Sequence, residues 1–65
     1  MTPEEKFQLL KSLLERGIEV RTAHKSRRVV ALEREDSRIA LRYENGDSDR
    51  IHLRDFGRRR FIVIL

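Results

Sequence analysis

The sequence predicts an α+β fold that is mainly β: one amino-terminal helix followed by a five-stranded antiparallel barrel. Three observations carry that prediction. The hydrophobic period is helical up to Gly17 and alternating beyond it. The connectors between the alternating runs are only a few residues long, which pairs successive strands antiparallel. The chain of 65 residues is long enough for one core and too short for two. The expected organisation is a single domain over residues 1–65, with the helix at about 3–16 and the barrel at about 18–65.

The helix is the best-marked element. Thr2 fits an N-cap, Pro3 the first helical position, and Glu5 the reciprocal partner of a capping box. Phe7, Leu10, Leu13 and Leu14 recur at helical spacing, Leu9 widens the stripe, and Gly17 supplies the left-handed residue at which helices commonly stop. Beyond it, Ile18, Val20 and Thr22 share one face, as do Val30 and Leu32, Ile39, Leu41 and Tyr43, and Ile51 and Leu53. The run "FIVIL" makes the fifth strand, with Phe61, Val63 and Leu65 closing the barrel and Ile62 and Ile64 facing outward. The connectors are "HKS", "EDS", "ENGDSD" and "DFGRRR". Such a small curled sheet, capped by a helix, is expected to be an SH3-like or Sm-like barrel.

Asn45-Gly46 is a strong signal for a two-residue hairpin, yet that register turns Ile51 and Leu53 to water, at about 1.5–3 kcal/mol each. Burial predicts instead an irregular, odd-length turn that sets Leu41 opposite Ile51 or Leu53. The run Asn45, Asp47, Ser48, Asp49 lacks the glycine placement and closing Glu of a calcium loop, so no metal is expected.

The formal charge is +4, and twelve of the fifteen basic residues are Arg. Arg in excess suits bidentate recognition of phosphate or carboxylate; biased base composition of the gene accounts for it equally well. The helix is neutral, so the excess belongs to the strands and loops. No cysteine is present, so neither a disulfide framework nor a thiolate zinc site supports this small core, and self-association is the remaining aid. Acids where a signal peptide needs positive charge, and no apolar run of about 20 residues, predict a soluble, cytoplasmic protein. Ser12, Ser26, Ser37 and Ser48 lack nucleophile contexts, no glycine-rich phosphate loop occurs, and His24 and His52 stand in separate elements. Neither an enzyme nor a cofactor is expected.

The chain resembles the Sm-like RNA-binding proteins, particularly the bacterial Hfq RNA chaperones. "LLKSLLERGIEV" is similar to their helix and its entry to the first strand, "EDSRIAL" to the loop and strand holding the Sm aspartate, and "RIHLRDFGRRRFIVI" to the fourth strand, turn and fifth strand. If Asp36 matches that aspartate, Arg38 stands where the family commonly has a base-stacking aromatic, and Leu53 and Arg54 stand near its lysine-histidine pair. The resemblance implies RNA held at the loops after the second and fourth strands, and a ring in which the fifth strand pairs with a neighbour's fourth.

Alternating loops of a meander share an end. Lys25, Arg27 and Arg28 should then meet Glu44, Asp47 and Asp49, leaving no net charge. Arg34, Arg38, Arg54, Arg58, Arg59 and Arg60 should gather at the other end against Glu33, Glu35, Asp36 and Asp55, leaving +2. The candidate nucleic-acid contacts are therefore Arg38, Arg54, Arg58, Arg59 and Arg60, with RNA the favoured ligand. The four aromatics Phe7, Tyr43, Phe56 and Phe61 all fit the core and leave no stacking platform. The alternative class is a protein-interaction module, a regulatory subunit or inhibitor, with strand Phe61–Leu65 as its edge or as a homo-oligomer contact.

Overall fold

In the computed structural model, which describes Met1–Leu65, helix α1 spans Pro3–Glu15. Its capping box is formed: the Glu5 N–H donates to Thr2 Oγ1 (3.1 Å) and the Thr2 N–H donates to Glu5 Oε1 (3.0 Å). At the other end the Ile18 N–H donates to the Leu13 carbonyl and the Gly17 N–H to the Leu14 carbonyl, both at 3.0 Å. That is a Schellman stop, and Gly17 holds the left-handed backbone it requires (φ +78°).

Five strands follow: β1 (Glu19–Thr22), β2 (Arg28–Glu35), β3 (Arg38–Tyr43), β4 (Ser48–His52) and β5 (Phe61–Ile64). They form one antiparallel sheet in the order β4-β3-β2-β1-β5. β4 and β5 are its two edges and do not pair, so the sheet is open. Its inner face holds Val20, Val29, Leu32, Ile39, Leu41 and Tyr43, and α1 adds Phe7 and Leu10 to this core. No helix is long and apolar enough to cross a membrane.

The gap between β4 and β5 is spanned by a second helix, α2 (Leu53–Arg58), where the sequence suggests a plain connector. His52 caps it, its Nδ1 accepting from the Arg54 N–H at 3.1 Å. Leu53 therefore opens a helix instead of continuing β4, and its N–H donates to the Ser37 carbonyl (2.7 Å). Phe56 of α2 is fully buried; its ring centroid lies 6.3 Å from that of Phe7, edge-on, and 5.4 Å from that of Phe61. Such pairs add about 0.5–1.5 kcal/mol to the burial itself.

Three further expectations are corrected. A bulge between Val29 and Ala31 makes Val29 and Leu32 the inward residues of β2, and Val30, expected inside, is 44% exposed. The β3–β4 turn is odd in length as burial requires: Tyr43 and Asp47 flank a three-residue loop, with the Tyr43 N–H on the Asp47 carbonyl (2.8 Å) and the Gly46 N–H on the Tyr43 carbonyl (3.0 Å). This register sets Ile39 opposite Ile51 but Leu41 opposite Asp49, two residues short of the expected partner. In β5 only Phe61 packs against the core; Val63 pairs with Val20 on the inner face yet stays 38% exposed, and Leu65 is fully exposed.

Gly57 lies where α2 crosses α1. A Cβ there would sit 2.7 Å from Pro3 Cγ and 3.1 Å from Pro3 Cβ. Gly57→Ala should therefore destabilise the protein by about 1–2 kcal/mol in urea unfolding, because overpacking outweighs the helix propensity gained. Most of that loss should disappear when Pro3→Ala removes the closer atom. The capping box generates a pH prediction. Hydrogen bonds from the Thr2 N–H and then its hydroxyl hold the Glu5 carboxyl below its ordinary value of 4.5. A depressed folded-state value stabilises the protein above 4.5 and loses that contribution as pH falls through the folded value. Glu5→Gln keeps the reciprocal acceptor without the titration. Wild type should exceed it in urea midpoint at neutral pH and converge with it in acid.

Candidate nucleic-acid interface

The five arginines singled out by sequence do not share one end of the sheet. β5 runs antiparallel to β1 with Phe61 opposite Thr22, so it begins beside the β1–β2 turn, whereas β4 ends beside the β2–β3 turn with His52 opposite Arg38. α2 has to carry the chain from one end to the other. Arg38 and Arg54 lie at its start, and Arg58, Arg59 and Arg60 at its finish. The expected basic rim is instead a track along α2. Arg54 and Arg58 are one helical turn apart and both exposed, so they are neighbours on the same outer side. A six-residue helix is roughly 9 Å long.

Ion pairing separates the arginines into two sets. Arg21 pairs with Glu19, Arg27 with Asp47 (3.2 Å) and Asp49 (3.8 Å), Arg28 with Glu44 (3.5 Å), Arg34 with Glu4, and Arg50 with Glu35 (3.2 Å). The other seven have no acidic partner within 4.0 Å and are all exposed: Arg38, Arg54, Arg58, Arg59 and Arg60, together with Arg16 at the end of α1 and Arg42 on β3. Arg34, counted with the rim from sequence, is taken out of it by the α1 carboxylate. The near-neutral end is as expected for Arg27 and Arg28, but Lys25 there has no acidic partner.

Lys6 anchors the finish of α2. Its Nζ donates to the Gly57 carbonyl (3.3 Å) and to that of Arg59, acceptors left over at a helix end, and lies 5.3 Å from the Phe61 ring centroid. Burial pushes the Lys6 ammonium below its ordinary value, while the two carbonyls favour its charged form. Lys6 thus fixes where Arg58, Arg59 and Arg60 emerge.

Beside Arg59 and Arg60 lies a cavity of about 540 Å³, lined also by Thr22, His24, Lys25, Arg27, Tyr43 and Asp49. Its floor is tied together. The Tyr43 hydroxyl donates to Asp49 Oδ2 (2.7 Å), and the Arg27 guanidinium lies 4.8 Å from the Tyr43 ring centroid. Burial and, after it, the Asp49 bond raise the Tyr43 phenol, which stays protonated and donating. Apart from Arg59 and Arg60, its lining lies outside the basic rim that the sequence predicts. The signal that finds it is the odd length of the hairpin, which turns Asp49 inward opposite Leu41. The acids of the "ENGDSD" run are engaged by arginines, Asp47 and Asp49 by Arg27 and Glu44 by Arg28. Comparison with protein-family models, with curated proteins and with solved structures finds no match to this chain.

Proposed function

We propose that this protein is a non-enzymatic nucleic-acid-binding module, with RNA the favoured ligand, built on an open form of the Sm-like or SH3-like barrel. The observation that carries the reading is the separation of its arginines. Arg21, Arg27, Arg28, Arg34 and Arg50 are neutralised by their own carboxylates, whereas Arg54, Arg58, Arg59 and Arg60, on α2 or directly after it, and Arg38 at its start have donors free for an external anion. An arginine fork matches a phosphate bidentately, and a row of such forks follows a strand backbone without reading its bases. The Sm-like topology is supported by the strand order, by α1, and by the short helix before β5.

Self-association accompanies this reading, favoured by the free outer edge of β5 and its exposed Ile62 and Ile64. Pairing of that edge with the free edge of β4 in a second copy covers both. Light scattering of the purified chain should give a mass above one chain, and Ile62→Lys with Ile64→Lys should return it to one. A single-chain mass at high concentration for the wild type sinks the assembly and revives the edge as a contact for a different protein.

Fluorescence anisotropy with labelled single-stranded RNA should show binding that weakens steeply with salt. Arg58→Ala, Arg59→Ala and Arg60→Ala together should lower the slope of log K against log salt by about 2, at ~0.7 per phosphate contact. Arg21→Ala with Arg28→Ala, which removes two paired arginines, should leave the slope nearly unchanged. Absence of binding at low salt, or equal losses in both variants, refutes the track.

A further inference from the structure

We infer that the cavity at the finish of α2 holds a single nucleotide: its phosphate on Lys25, Arg59 and Arg60, its base against the Arg27 guanidinium. The inference depends on the nucleic-acid reading only for the source of the nucleotide, a bound strand or a free mononucleotide.

The two sides of the cavity have opposite chemistry. On one side stand three cations without acidic partners, Lys25, Arg59 and Arg60. The backbone N–H groups of His24 and Lys25, beside them, donate to no protein acceptor. That side suits a phosphate, which accepts many donors and carries the charge that three cations repelling one another lack. On the floor is a carboxylate. Asp49 Oδ2 is taken by the Tyr43 hydroxyl and by Arg27, while Oδ1 receives no donor from the protein. A bare anion is repelled by Asp49. A ligand with an anion at one end and N–H donors at the other satisfies both sides, and an amino-bearing base offers those donors to a carboxylate.

Arg27 supplies the flat surface that the aromatics do not. Its guanidinium lies over the Tyr43 ring and is paired with Asp47 and Asp49, while the side chain remains 36% exposed. An ordered guanidinium plane stacks a nucleobase as an aromatic ring does. The volume of about 540 Å³ lies within the range of small-ligand pockets, roughly 300–1,000 Å³. The turn above it holds Lys25 (φ +67°) and Ser26 (φ +51°) in left-handed backbone, at about 1–2 kcal/mol each.

The test is an NMR titration of the isotope-labelled full chain with guanosine 5′-monophosphate, guanosine, inorganic phosphate and a single-stranded oligonucleotide. The monophosphate should shift Thr22–Arg27, Asp49, Arg59 and Arg60, saturably and with at least about tenfold tighter binding than phosphate or guanosine alone. If only the oligonucleotide produces these shifts, the nucleotide comes from a strand; if the monophosphate does, a free one suffices. Arg27→Lys, which keeps the charge and loses the plane, should weaken the monophosphate about tenfold and leave inorganic phosphate unaffected. Lys25→Gln, in an exposed turn, repeats the test from the phosphate side if Arg27→Lys fails to fold. Inorganic phosphate binding as tightly as the nucleotide, or shifts confined to Arg54 and Arg58, overturns the inference. Oligonucleotide binding that is lost in Arg54→Ala with Arg58→Ala but indifferent to Arg27→Lys leaves the track standing and removes the cavity.

Discussion

The burial of Phe56 is the interaction on which the rest of the molecule depends. Five strands in the order β4-β3-β2-β1-β5 leave the inner face open along the seam between β4 and β5, and one fully buried ring at that seam excludes water from it. Truncating a ring so placed costs about 3–5 kcal/mol, a large share of the roughly 5–15 kcal/mol by which domains are stable. The ring can occupy the seam only if the chain is helical there. α2 is too short to be stable alone, and its supports are tertiary: the His52 cap at its start, the Lys6 ammonium on its last carbonyls, and Gly57 allowing close approach to Pro3. A core requirement thus places a helix on the surface of the open side.

The charge arrangement is a consequence. Because α2 turns Phe56 inward, Arg54 and Arg58 face solvent, away from the strands and hairpin turns that carry seven of the eleven carboxylates. The paired arginines mostly sit on strands or hairpin ends, where a neighbouring strand or turn brings an acid within reach: Arg50 meets Glu35, Arg28 meets Glu44, and Arg27 meets Asp47. No strand flanks α2 on its outer side. Local composition alone does not reveal this, since Asp55 is one residue from Arg54 in sequence yet makes no ion pair with it.

What the sequence made legible is what depends on neighbours along the chain. The capping box, the stop at Gly17, the short antiparallel connections from β1 to β4 and the odd β3–β4 turn follow from spacings of a few residues, and the structure contains all four. What it concealed depends on distant partners. The bulge at Val29–Ala31 exchanges Val30 for Val29 with no local mark, because both are valine and either satisfies alternation. Six residues of α2 are too few to display a helical period, and "IHL" continues the β4 alternation into Leu53, where the chain has already turned. The candidate arginines stand among acids in sequence, Asp36 before Arg38 and Asp55 after Arg54, so their freedom from ion pairs is not legible there; nor is their layout, because β5 returns to β1 instead of pairing with β4.

The two basic features share a physical cost. Arg54 and Arg58 repel across one turn of helix by a few tenths of a kcal/mol, Lys25 and Ser26 hold strained backbone, and Lys6 is partly desolvated. All of these lie along α2 or at the turn it reaches, while Arg21, Arg28, Arg34 and Arg50 of the sheet are ion-paired. An anion seated along α2 relieves the repulsion there and, by binding only the folded chain, adds stability in proportion to its occupancy. Salt acts on the two states in opposite directions: it screens the arginines from one another in the free protein, and it weakens their hold on phosphate in the complex. A surface whose unpaired charges were merely solvated would show the first effect without the second. The opposition between the two is therefore the physical mark that separates a binding track from a basic surface.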